Sequence, residues 1–547
     1  MMVKLSLPVQ TLIRRYENAR TAAQPEKGVS TVHVDEIAAR VAAFYERLRG
    51  IVDWREEHLI RRGAIERVLK RKFFPELSGF SVAAVLDAKE LAEPLVAELV
   101  RGGHFPNDSI PEEKIFDIQR ILEKYIYILR NNPLSGSRVT RPKEWVNFYS
   151  WLLEISACEI EETLDPPIRE YALVECMTSL MVERIRLGPN TNLTDEEKKI
   201  QTYIAAHRAL FHLDWPVVSY HLLLYRCPEW AAPSEALQVE IAQNILSIRE
   251  DLEKTLKHPL ANKFYAVCER FAPLYLILGD ILKRFADEPS KLRELLAEPK
   301  ALENLARDCY NLRLATLKTR LFRMAVFSTL SIFTSSGFSL FVVEVPLAAL
   351  FYGRFSPFAM AVDILVPTLF MFLLVALIRP PRASNMERVI AGVKSIAYQE
   401  GVQEFSEIRT PKRRGLLTRI IIGLLYFVEC FVSLGAVAWI FYAVRIPWTS
   451  IILDTLNVAV VAFAGMIIRG RSRELTIESE KPSFWRFAFD VLTLPVAKVG
   501  GWISAKWREY NILSVFFTAL FDMPFKVFID LIESWSAFLK EQKEAIH

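Results

Sequence analysis

The sequence predicts an all-α fold in three parts. These are a water-soluble helical bundle or solenoid (residues 1–320), four transmembrane helices in two hairpins (321–475), and amphipathic interfacial helices (476–547). Three observations carry this expectation. Apolar residues recur at three- and four-residue spacing through the first 320 positions, with almost no strand-type alternation. Four later stretches stay apolar over about 20 residues, the length that crosses ~30 Å of hydrocarbon. The 24% charged and 52% hydrophobic residues are unevenly distributed, a charged half preceding a greasy one.

Helices are expected over 34–50, 54–74, 84–101, 111–131, 143–163, 167–187, 195–212, 215–226, 234–257, 262–286 and 300–320, punctuated by Pro, Gly and Asn. The pair 195–226 reads as one helical hairpin turning at Asp214-Trp215-Pro216. No fixed period runs through the domain, so a regular repeat array is not predicted. The N-terminal MMVKLSLPVQTLIRRYENAR lacks an apolar h-region and predicts no secretory signal.

The first apolar stretch runs from Met324 toward Phe351, the second from Phe358 to Ile378, the third between Arg419 and Arg445, and the fourth from Thr449 to Ile468. Nine basic residues fall between the second and third stretches: Arg379, Arg382, Arg388, Lys394, Arg409, Lys412, Arg413, Arg414 and Arg419. The short loops inside each hairpin hold one each, Arg354 and Arg445. The positive-inside rule therefore makes the 379–419 loop and both termini cytoplasmic. The hairpins share a pattern: FYGRFSPFAMAVDILVPTLFMFLLVALIR and FYAVRIPWTSIILDTLNVAVVAFAGMIIR each carry Phe-Tyr, Arg, Pro, an intramembrane Asp and a closing Arg. Common hairpin grammar and true duplication both account for it.

Beyond the fourth stretch, FWRFAFDVLTLPVAKVGGWISAKWREY is expected as short helical pieces in the headgroup layer. Residues 512–540 form a helix with one narrow polar stripe, Ser514, Thr518, Asp522, Lys526, Asp530 and Ser534, and so need apolar surroundings on most sides.

Intramembrane acids are functional candidates because a carboxylate in hydrocarbon is expensive. Asp363 and Asp454 lie ~10 Å inside their spans, within reach of Arg354 and Arg445 near the outer interface. Glu344, two residues before Pro346, marks a kink or outer turn. Glu429 lies ~15 Å past Arg419, near the midplane, with no intramembrane cation and Ser433 one turn on. These four are the possible ion or proton site; Lys412, Arg413, Arg414, Arg469 and Arg471 are possible lipid-headgroup contacts.

The soluble half offers weaker signals. Arg55, Arg61, Arg62, Arg67, Lys70, Arg71 and Lys72 crowd one helix, but Glu57–Arg61 and Glu66–Lys70 have i,i+4 spacing, which favours a solvated face over a phosphate-binding one. A net charge of +4 gives no case for nucleic acid. His104, His207, His212 and His221 match no metal-ligand spacing. Glu154, Glu161, Glu162, Glu175 and Glu183 lack the Glu-x-x-His of carboxylate-bridged metal bundles. Cys158, Cys176, Cys227, Cys268, Cys309 and Cys430 form no C-x-x-C pair and read as reduced, buried thiols. No nucleotide-binding loop or nucleophile motif is present, so no cofactor, metal or enzymatic reaction is expected.

Several segments resemble a family of multi-pass membrane proteins from small-genome candidate-phyla bacteria. They are DWREEHLIRRGAIERVLKRKFF, LVRGGHFPNDSIPEEKI, EISACEIEETL, LFRMAVFSTLSIF, DILVPTLFMFLLVALIRPP and NILSVFFTALFDMPFKVFIDLIESWSAFLKEQKE. The resemblance spans nearly the whole chain and implies the domain order and a bacterial inner-membrane location, but no activity. The expected function is a membrane-anchored scaffold, residues 1–320 binding protein partners or a second copy and the spans contacting the lipid bilayer. The alternative is an oligomeric ion- or proton-coupled channel or transporter using the intramembrane acids.

Overall fold

A computed structural model describes residues 4–23, 30–34, 57–77, 87–134, 142–189, 191–285, 288–341, 345–351, 357–376, 378, 381, 383–398, 405–410, 415–477 and 484–509, with isolated positions 531, 535 and 538. The chain divides into two compact units: Met1–Glu298 with Ser395–Thr410 and Met523–His547, and Pro299–Lys394 with Pro411–Asp522.

The first unit contains α1 (Leu7–Ala23), α2 (Glu57–Leu77), α3 (Ala88–Arg101), α4 (Glu113–Asn131), α5 (Pro142–Leu164), α6 (Ile168–Arg184), β1 (Ile185–Leu187), α7 (Asp195–Phe211), α8 (Trp215–Arg226), α9 (Glu235–Leu256), α10 (Ala261–Arg284) and α11 (Pro289–Ala297). Side-chain caps set several boundaries. Thr194 and Glu197 form a reciprocal capping box at α7, Asp214 accepts from the Val217 amide at α8, and Ser234 accepts from Leu237 at α9. Each such cap stabilises its helix by about 1 kcal/mol. His212 closes α7 with φ 50°, the left-handed conformation that ends a helix sharply.

Consecutive helices pack as α3 on α4, α4 on α5 and α6 on α7, and longer separations join α2 to α5, α5 to α8, α1 to α6 and α7 to α10. Ile65, Phe73, Leu95, Tyr125, Phe148 and Trp230 belong to one continuous core beneath α2–α5 and α7–α9. One expectation needs correction. The end of the helix expected over 167–187 is β1, which pairs in parallel with β2 (Ser406–Ile408), Ile185 opposite Ser406 and Leu187 opposite Ile408. That partner is more than two hundred residues away, so local periodicity carried no trace of it. The predicted helix 34–50 lies outside the described residues.

The second unit begins at Pro299, because the helix expected to close at 320 continues unbroken into the first apolar stretch as α12 (Pro299–Ser339). It continues with α13 (Val345–Phe351), α14 (Pro357–Ala376), most of α15 (Ala383–Tyr398), α16 (Leu416–Ala443), α17 (Trp448–Arg471) and α18 (Phe484–Glu509). Among the described residues, three helices are long and apolar enough to cross a membrane: α12, α16 and Ser450–Arg471 of α17. They point to a membrane protein. The second predicted span contains a shorter apolar helix, Met360–Ala376. In packing, α14 contacts both α12 and α17, while α16 lies against α17 and α18.

The predicted 379–419 loop contains α15 and β2. Val389, Ile390, Val393, Ile396 and Ala397 are buried at helical spacing. Asn385 donates to the Tyr310 hydroxyl (3.1 Å) and to the Leu475 carbonyl (2.6 Å), and accepts from the Ile477 amide (2.9 Å). The predicted headgroup pieces are instead one continuous helix, α18, seated on α17. Ala459 and Ala462 of α17 meet Val496 and Ala497 of α18, and Gly500 lets the two backbones touch. Small residues on both surfaces, rather than hydropathy, bring these helices together. The striped helix 512–540 lies almost wholly outside the described residues.

Candidate functional site

The two hairpin aspartates are both buried. Asp363 on α14 and Asp454 on α17 are 2% and 0% exposed, within helices that pack on one another. Val362 and Val366 share a cluster with Ile451 and Val458, which surrounds this region with apolar side chains. The expected Arg445–Asp454 pair is absent. Arg445 occupies a left-handed turn position (φ 62°) and is exposed, whereas the carboxylate is enclosed ~10 Å further along.

Glu429 is less enclosed than either aspartate. It is half-buried on α16, most of whose side chains face outward, and the buried Ser433 hydroxyl makes no hydrogen bond to it. Glu344, Arg354, Lys412, Arg413 and Arg414 lie outside the described residues. Arg469 and Arg471 sit half-buried in the last turn of α17.

A second constellation, missed by the sequence reading, lies inside the first unit. The Tyr171 hydroxyl donates to one oxygen of Glu162, and His221 Nε2 lies 2.5 Å from the other. His221 Nδ1 meets His207 Nδ1 at 3.1 Å. Two ring nitrogens in contact require one donor and one acceptor. His221 thus bridges Glu162 and His207, and the buried His207 Nε2 has no hydrogen-bond partner. Burial, with His221 adding, holds the His207 imidazole well below its ordinary range. Burial and the neighbouring Glu162 push the Tyr171 phenol up. The chain therefore carries a hydrogen-bonded line from phenol to carboxylate to two imidazoles, joining α5, α6, α7 and α8.

Beside it, Lys124 and Glu159 form a buried ion pair at 2.5 Å. Lys124 also donates to the Trp230 carbonyl at 2.8 Å, while Tyr125 (2.7 Å) and the Trp230 indole (3.2 Å) donate to the second Glu159 oxygen. Burial pulls the ammonium down and pushes the carboxyl up, and each charge offsets that for the other.

The basic α2 faces its neighbours rather than solvent alone. Arg61 bonds Glu161 (3.2 Å) and Asp165 (2.6 Å), Arg62 bonds Glu66 (3.1 Å) and Asp214, and Arg71 bonds Glu98. The predicted Glu66–Lys70 pair is present at 2.6 Å, while the Glu57 side chain lies outside the described ones. Three of the five glutamates have separate partners: Glu161 goes to Arg61, Glu162 to Tyr171 and His221, and Glu175 to Arg15. Burial lifts Glu154 to about 7, with Glu66 adding, and lifts Glu161 to about 8 against the pull of Arg61. Among the described residues no three His, Cys, Asp or Glu side chains gather closely enough to hold a metal ion. Cys158, Cys176, Cys268 and Cys309 are buried thiols, while Cys227 and Cys430 are half-buried.

Comparison with known proteins found no matching family model, no matching curated protein and no matching solved structure.

Proposed function

We propose that the chain is a membrane-anchored interaction module of the bacterial inner membrane, with both termini cytoplasmic and its first unit engaging a protein partner. The observation that carries this reading is a surface cluster at the α7–α8 turn. Trp215 is 49% exposed, and the Arg208 guanidinium lies 4.8 Å from its ring and 4.7 Å from that of Tyr265. Trp, Tyr and Arg are the residue types that dominate binding energy at protein interfaces, and packing preorganises these three before any partner arrives. The resemblance to multi-pass membrane proteins of candidate-phyla bacteria supports the location.

Crosslinking in native membranes, read by mass spectrometry, tests this directly. Residues near Trp215 are expected to link recurrently to one partner or to a second copy. Trp215→Ala should weaken that link by about 2 kcal/mol, roughly thirty-fold in affinity. A wild-type pattern without recurrent links, or one that Trp215→Ala leaves unchanged, sinks the proposal.

The burial of Asp363 and Asp454 supports a second reading, proton- or cation-coupled conduction through an oligomer. Ionisable residues within apolar spans generally mark ion pathways. In proteoliposomes, Asp454→Asn and Asp363→Asn are each expected to reduce proton flux at least ten-fold. Wild-type protein without measurable proton or cation flux rules this reading out.

A further inference from the structure

An apolar groove of about 590 Å³ runs between α12 and α14. Its walls include Leu321, Val326, Leu330 and Phe333 from α12, and Phe372 and Val375 from α14. Along α12 the lining extends from residue 318 to residue 333, ~22 Å at 1.5 Å per residue. Its one charged lining residue, Lys318, is the first of the α12 series and therefore stands at one end.

Three arginines of α12 are engaged in ion pairs, and Arg323 does not line the groove. Arg307 pairs with Glu387 at 2.8 Å, and Arg313 and Arg320 both reach Glu474, at 4.0 and 3.3 Å. Lys318 is exposed and makes no ion pair among the described residues. A long apolar slot ending in one available ammonium complements a ligand with a long apolar chain and an anionic head.

We propose that this groove binds an anionic phospholipid, one acyl chain lying along α12 and α14 and the phosphate-bearing headgroup meeting Lys318. The inference rests on the reading of these helices as membrane-embedded. Burying the exposed faces of Leu330, Phe333 and Phe372 against an acyl chain supplies the affinity. The ammonium supplies preference among headgroups, since one lysine near a bilayer surface contributes about 1 kcal/mol, or about five-fold.

Native mass spectrometry of the full-length detergent-solubilised protein tests the site, with dioleoyl phosphatidylglycerol and dioleoyl phosphatidylcholine as probes. Wild type should retain phosphatidylglycerol about five-fold better than phosphatidylcholine. Lys318→Gln, a surface change, should erase the preference while phosphatidylcholine adducts persist. Val326→Trp should fill the groove and remove adducts of both lipids. Equal retention by wild type overturns the proposal, as does a preference that survives Lys318→Gln. Adducts that survive Val326→Trp place the lipid elsewhere and overturn it too. Carbonate washing of native membranes reports the underlying membrane reading separately: release of the wild-type chain would defeat that reading whatever the lipid result.

Discussion

Lys124→Met is expected to lower the thermal midpoint of the first unit by about 5 °C. The methionine fills a similar volume, so the change leaves little cavity; what it removes is the cation opposite Glu159. That carboxyl sits in the core with Tyr125 and Trp230 as its remaining donors. Breaking a buried pair by deleting one partner costs about 3–5 kcal/mol, against a typical total of 5–15 kcal/mol. For a unit of this size each kcal/mol moves the midpoint by about 1–2 °C. Differential scanning fluorimetry of the solubilised protein measures the shift. The double variant Lys124→Met/Glu159→Gln should recover much of it, because no uncompensated charge then remains. A single variant within about 2 °C of wild type would show that the pair contributes little.

Gly500→Leu is expected to detach α18 from α17. A Cβ at Gly500 would stand 1.9 Å from the Ala459 carbonyl oxygen and 2.4 Å from its carbon. Both are backbone atoms, so no rotamer change relieves the clash and the helices must separate. Gly501 provides an internal contrast. Its Cβ would meet the Phe463 ring at 2.9 Å, and Gly465 on the opposite contact would meet the Leu374 side chain at 2.8 Å. Those obstacles are side chains that can turn away, so Gly501→Ala and Gly465→Ala should be tolerated. Cysteines introduced at Ala462 and Ala497, neighbours in one packed cluster, report the contact by disulfide formation. Their crosslink should form in the parent and with Gly501→Ala, and fall to background with Gly500→Leu. An undiminished crosslink with Gly500→Leu would refute the close approach.

The buried network of the first unit was partly legible. Asp214 was recognised as the turn of a helical hairpin, and His207 and His221 lie seven residues before and after it. In an antiparallel pair, residues equidistant from the turn face each other, so the two imidazoles were already opposed in the sequence. Glu162 and Tyr171 likewise flank the Pro166-Pro167 turn. No metal-ligand spacing on a single helix marks either pair, because each residue meets its partner across a turn.

Local signals determined where helices start and stop and which stretches are greasy. The capping box at Thr194, the Asp214 cap with Pro216 behind it, and the long apolar runs after Met324 depend on neighbours within a few residues, and one sequence contains all of them. The tertiary structure alone decided which polar groups are enclosed and with what. Lys124 finds Glu159 thirty-five residues away, β1 finds β2 across more than two hundred, and Asp363 and Asp454 are enclosed while Glu429, the deeper acid by sequence, keeps an open side. Such pairings follow from the rotation and approach of packed helices. Gly500 shows the physical reason: backbone contact requires a missing side chain, but the glycine does not reveal which helix will occupy the space.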